Sequence, residues 1–295
     1  MKKILSEIWA PLLAAAIWGT AFACQNLCAE HVSPFFLNGL RYLVSAVVMF
    51  PLCLISGRKR KEPLNQRMVI MGSILCGIAL AVSVNIQQFG IEESSAGKAG
   101  FLTALYMVLV PIFSGMLGKK IGKNVWMAVA VALGGLYFLC INGPFVVERG
   151  DAYLVSCAFG FAVQILLVSY FIQYMDTFTL SCGEFFATGI FSIVLALATE
   201  DRSAVHLQAC ILPFLYLVLL SNCVAYTLQI YAEKKGNPTI VSLLFSLESV
   251  FALLGGVVLL NERMSGRELF GCALMMAAVI IAELPESGLK KKGRS

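Results

Sequence analysis

A chain of 295 residues with 59% hydrophobic side chains, 13% charged ones and a mean hydropathy of +0.84 cannot cover a water-exposed surface, because soluble domains carry about one charged residue in four. The formal charge of +5 is no nucleic-acid footprint, since the basic residues fall between apolar runs and serve topology. Lipid is the solvent that fits, and the useful unit is a stretch of roughly 20 apolar residues, enough helix to cross a core about 30 Å thick.

In chain order the predicted spans are Ile8–Leu27, Phe35–Ile55, Met68–Phe89, Ala99–Leu117, Val125–Ile141, Ala152–Ile172, Phe178–Leu197, Ile211–Ile230, Thr239–Leu260 and Leu269–Leu284. They are rich in Leu, Ile, Val, Ala and Phe without strict alternation, which disfavours barrel strands. Backbone groups in hydrocarbon must be satisfied within the segment. The fold class expected is therefore an all-α integral membrane bundle of ten helices.

With the amino terminus in the cytoplasm, sixteen of the 22 Lys and Arg fall on the inner side and five on the outer, leaving Arg41 within a span. Basic residues are retained inside, so both termini are expected to be cytoplasmic, with a basic tail at 285–295. The first apolar run lacks a small-residue cleavage site and reads as a retained anchor.

The second half repeats the first. Gly118-Lys-Lys-Ile-Gly122 and the helix after it match Asn261-Glu-Arg-Met-Ser265 and its helix at an offset of 143, and Ile17-Trp-Gly19 matches Ala158-Phe-Gly160 at a similar one. The repeats span 1–141 and 150–284. Five spans per repeat is an odd number, so the halves enter the membrane from opposite sides, an inverted plan used by many secondary transporters.

Several stretches carry a resemblance. Leu247-Glu-Ser-Val-Phe-Ala252, Leu259-Leu-Asn-Glu-Arg-Met264 and a last helix led by Gly271 resemble the second repeat of the EamA-type transporters of the drug/metabolite transporter superfamily. Ile17-Trp-Gly-Thr-Ala-Phe22, Leu40-Arg-Tyr42, Ser95-Ala-Gly-Lys-Ala-Gly-Phe101 and Val110-Pro111 do the same for the first repeat. The resemblance implies ten helices in the cytoplasmic membrane of a bacterium, and movement of small metabolites such as amino acids, often outward. Ser249 stands where that family usually has proline, so the ninth helix is expected to lack the bend expected at Pro111 in the fourth. Glu7 and Glu30 fall at the ends of the first span, so it lacks the buried acid of the small multidrug relatives, which argues against a lipophilic-cation pump.

Charges inside spans are costly enough to count as functional leads. Glu248 is near mid-depth, Glu184 lies seventh of 20 from the cytoplasmic end of its span, and Arg41 lies seventh of 21 from the outer end. At a rise of 1.5 Å per residue, Arg41 and Glu184 sit about 10 Å below opposite surfaces, too far apart for a direct salt bridge. Arg41 suits a carboxylate-bearing solute near the outer mouth, and Glu248 and Glu184 are proton-coupling candidates; the bland reading of each is a structural charge bonded to its neighbours. Gln164 and Asn222 near mid-depth, and Asn85, Gln87 and Gln88 somewhat outward of it, are amides that need partners in lipid. Trp18 lies mid-span, away from the interfaces where tryptophan normally sits, and Tyr106 and Tyr226 are weaker aromatic candidates. The substrate-binding set expected is Trp18, Arg41, Asn85, Gln88, Tyr106, Gln164, Asn222, Tyr226 and Glu248. Gly115, Gly134-Gly135 and Gly255-Gly256 are expected at close helix approaches.

The ten cysteines are scattered and without metal-ligand spacing, and no phosphate loop is present. No cofactor or metal is expected. The alternative class is a membrane-embedded enzyme acting on a lipid or lipid-linked substrate, but both histidines, His31 and His206, fall in outer loops, away from any position for a buried general base. The expected partners are a small-molecule substrate and the lipid bilayer, with no nucleic acid. A monomer and a homodimer are both compatible with the sequence.

Overall fold

The computed structural model describes residues 2–60, 63–94, 96–140, 148–201, 206–260 and 265–283. Ile141, residues 261–264, Leu284 and residues 285–295 lie outside these. The described residues are helical and contain no strand.

The first half contains α1 (Lys2–Ala29), α2 (Pro34–Arg58), α3 (Gln66–Glu92), α4 (Ala96–Thr103), α5 (Tyr106–Met116) and α6 (Lys123–Cys140). The second contains α7 (Arg149–Phe171), α8 (Thr177–Thr199), a 3-10 turn at Leu207–Cys210, α9 (Ile211–Tyr216), a π-helical stretch at Leu217–Tyr226, α10 (Thr227–Lys235), α11 (Pro238–Phe245), α12 (Glu248–Leu260) and α13 (Gly266–Glu283). Seven described segments are long and apolar enough to cross a membrane: Ile8–Ala29, Pro34–Arg58, Gln66–Glu92, Lys98–Met116, Arg149–Phe171, Thr177–Thr199 and Leu207–Lys235. Lys123–Leu139 and Pro238–Leu254 are shorter apolar helices.

Local chemistry sets several starts. Pro34 and Pro238 occupy first-turn positions where no intrahelical donor is required. The side chains of Asn65, Asp176 and Asn237 accept first-turn backbone N–H groups of α3, α8 and α11 at 3.3, 3.1 and 3.0 Å. At α7, Glu148 and Asp151 form a reciprocal capping box.

The order of packing follows the repeat. α2 lies along α8 and α6 along α13, so second segment meets second and fifth meets fifth. Likewise α3 packs on α7 as the eighth segment packs on α1. Backbones touch at glycine: a Cβ on Gly271 would lie 2.7 Å from the Gly135 carbonyl oxygen, and one on Gly19 would lie 2.5 Å from that of Glu248. Gly115 and Gly134 face open space and mediate no such approach.

Polarity runs opposite to that of a soluble protein. Val47, Ile70, Val194 and Ile280 face outward while Arg41, Glu184, Glu233 and Glu248 are buried, the distribution lipid demands.

Two interruptions differ from expectation. The fourth segment breaks at Ala104-Leu105, and Pro111 sits inside α5. The ninth breaks at Ser246-Leu247 although its one proline, Pro238, is at its start and none is near the break. In both breaks, i→i+3 bonds replace helical ones, Leu105 N to Leu102 O and Leu247 N to Leu244 O. In the ninth segment, Ser242 and Ser246 hydroxyls donate to the Thr239 and Leu243 carbonyls at 2.9 and 2.7 Å, a competition for backbone acceptors that bends helices. Serine does there what proline was expected to do.

A candidate solute-binding site

The two breaks place the residues that follow them at one point. Tyr106 opens α5 and Glu248 opens α12, and the Tyr106 hydroxyl donates to Glu248 Oε1 at 3.2 Å. Around this pair lies a cavity of about 50 Å³, lined also by Trp18, Gln25, Arg41, Gln87, Thr103, Phe161, Gln164, Ser221, Tyr226, Gln229 and Phe245. That is room for a few waters.

Of the sequence candidates, Trp18, Arg41, Tyr106, Gln164, Tyr226 and Glu248 converge on this cavity. Trp18 meets Tyr226 and Phe245 edge to face, with centroids 4.9 and 5.3 Å apart, an arrangement the ring quadrupoles favour. Its indole N–H is already engaged, donating to the Ser221 carbonyl at 3.2 Å. Trp18 thus supplies a wall, and the π-helical backbone supplies the acceptor.

Arg41 is buried, with its guanidinium 5.0 Å from the Tyr42 ring centroid. Its Nε and Nη1 have no hydrogen-bond partner, and among the described residues no carboxylate lies within 4 Å of it. Buried, unengaged N–H donors on a cation are the chemistry that recognises an anion.

Asn85, Gln88, Asn222 and Glu184 lie outside the lining. Asn85 accepts from Asn38 at 2.9 Å and donates to the Ala81 carbonyl and Ser192. Gln88 accepts from Gln25 at 3.1 Å and so orients a residue that does face the cavity. Asn222 donates to Ser45 Oγ, which donates to the Arg41 carbonyl at 2.6 Å, placing it behind Arg41. Glu184 accepts from Gln164 at 2.7 Å. Gln25 and Gln229, not singled out in the sequence, enter the lining, and Gln87 donates to Thr103 at 3.3 Å.

The model of the EamA-like transporter family matches residues 5–141 and again 148–284. The chain belongs to the EamA-like transporter family. It is a multi-pass membrane protein of that family, identical at 29% of aligned positions to an uncharacterized transporter of Archaeoglobus fulgidus, the match covering 96% of this chain and 87% of the relative. It is 23% identical to the uncharacterized inner membrane transporter YedA of Escherichia coli K12, over 96% and 92% of the two chains. A probable amino-acid metabolite efflux pump of Salmonella typhimurium is 24% identical over 92% of each. A crystal structure sharing 20% sequence identity has the same fold, with a TM-score of 0.75 over 94% of this chain and 96% of the other.

Proposed function

We infer that the protein is a secondary transporter of small zwitterionic metabolites of the amino-acid kind, working by alternating access in a bacterial cytoplasmic membrane. The observation that carries this reading is a base and an acid lining one cavity: Arg41, with unpartnered guanidinium nitrogens, and Glu248, whose carboxyl meets only one hydroxyl among the described residues. The first suits a carboxylate and the second an ammonium group, while Trp18, Phe161 and Phe245 give the solute body an apolar wall.

Ten crossings in an inverted five-plus-five repeat, with both termini cytoplasmic, fit the distribution of basic residues and the packing of like-numbered segments. Interrupted helices meeting at a central site are the usual device of such carriers. Export is favoured by the efflux-pump relative, and Glu248 or Glu184 would carry a coupling proton.

The test is counterflow of radiolabelled L-amino acids in proteoliposomes, with the solute recovered chemically unchanged. Saturable counterflow that falls about tenfold in Arg41→Gln and in Glu248→Gln supports the reading. Chemical conversion of the solute would instead favour an enzyme, and non-saturating flux a channel.

A further inference from the structure

A polar chain runs beside the cavity. Gln164 Nε2 on α7 donates to Glu184 Oε1 on α8 at 2.7 Å. Gln229 Nε2 on α10 donates both to Gln164 Oε1 at 2.9 Å and to Glu233 Oε1 at 2.8 Å. Two acids are thereby joined through two amides, and both amides also line the cavity.

Among the described residues neither acid has a cation. Glu184 is 0% and Glu233 3% exposed, and Glu184 Oε2 and Glu233 Oε2 are buried without a hydrogen-bond partner. Among the described residues, no Lys, Arg or His nitrogen lies within 4 Å of either carboxyl. Glu233 itself, Cys76 from α3, Tyr42 from α2 and Tyr226 from the π-helical stretch are the titratable neighbours that feel Glu184, and an acid, a thiol and two phenols bring no positive charge. Arg41 acts on the two tyrosines, and Lys234 turns to the Met175 carbonyl at 3.5 Å. Two such anions in one dry region would be uncompensated, and proton uptake removes that burden.

We propose that Glu184 and Glu233 form a proton-binding site separate from Glu248 and joined to the solute cavity through the Gln164 and Gln229 amides. The amide groups have few hydrogens and lone pairs to share. A solute that engages Gln164 alters its bonds to Glu184 and Gln229, so solute and proton change each other's affinity by the same factor. Glu233 is the residue this adds, and the coupling limb rests on the transport reading above.

The experiment is infrared titration of the purified full-length protein, following the carbonyl stretch of protonated carboxyls across the neutral range. A buried-acid band that loses intensity in both Glu184→Gln and Glu233→Gln supports the site. A band unchanged in both variants overturns it, as does an equal spectral response to sodium at fixed pH. Should Glu233→Gln fail to fold, Glu233→Asp, which keeps the acid on a shorter arm, should shift the band. In proteoliposomes supplied with labelled L-amino acids, solute affinity should change about tenfold across the same pH range and lose that dependence in Glu233→Gln; retained dependence overturns the coupling. Absence of binding by any amino acid sinks the transport reading, while the infrared result still decides the proton site.

Discussion

Tyr106 and Glu248 stand 142 positions apart and hold matching places, each the first residue of the second half of an interrupted helix, and they hydrogen-bond to each other at 3.2 Å. Ala104 and Ser246, at the two breaks, have the same separation. The contact therefore lies where the two repeats meet, and the site's polarity comes from their difference: a phenol in one copy, an acid in the other.

Tyr106→Phe removes the only side-chain donor that Glu248 has among the described residues. An ordinary hydrogen bond contributes roughly 0.5 to 1.5 kcal/mol, so the KM for counterflow should change about two- to tenfold. The fold should persist, as judged by an unchanged size-exclusion profile. An unchanged KM would remove Tyr106 from the site.

Gly271 is expected to tolerate no side chain. The Cβ of Gly271→Ala would lie 2.7 Å from both the Gly135 carbonyl oxygen and the Leu139 nitrogen, and relieving such overpacking typically costs about 1 to 3 kcal/mol. The unfolding midpoint in detergent should fall, whereas Gly134→Ala, which faces open space, should leave it in place.

Asp176 predicts an acid-sensitive joint between α2 and α8. Partial burial alone would raise its pKa, but bonds from Thr179 and Ser56, with the Arg60 guanidinium beside it, outweigh this and hold the carboxyl below its ordinary value. A depressed native pKa contributes stability that is present above the unfolded-state value of about 3.9 and is lost as pH falls through the native one. The gap in unfolding midpoint between the wild type and Asp176→Asn should thus be full near neutrality and close under strong acid.

Glu200 caps a helix that is not its own. Its two oxygens accept from Ser33 Oγ at 2.8 Å and from the backbone nitrogens of Phe35 and Phe36 at 2.9 Å each, satisfying donors at the start of α2. Glu200→Ala should cost about 1 to 2 kcal/mol, the range for a lost cap, measured by denaturant unfolding. Glu200→Gln, which keeps acceptor capacity on one oxygen, should lose less.

Much of this was legible in the residues. Long apolar runs specify membrane helices because hydrocarbon allows few alternatives, and Trp18, Arg41, Gln164 and Glu248 stood out because lipid makes such groups expensive. The breaks were harder to see: Pro111 drew attention to one place, yet the interruption lies upstream at Ala104, and the serines that break the ninth segment resemble ordinary small packing residues. Glu233 was missed for a different reason. It precedes Lys234 and Lys235 and lies beyond the predicted span, which ends at Ile230; the helix continues to Lys235 and draws it inside. Asn85 and Asn222 show the converse, amides at the right depth whose hydrogen bonds hold neighbouring helices.

Glu200 and Asp176 fasten the same two helices at opposite faces of the membrane, one through the start of α2 and the other through Ser56 and Arg60 near its end. Tied at both ends, the two helices are held to each other along their length. The α2–α8 couple thus carries Arg41 and Glu184 between two end ties, and under the alternating-access reading proposed above the bending is expected in the other segments, at the joints at Ala104 and Ser246.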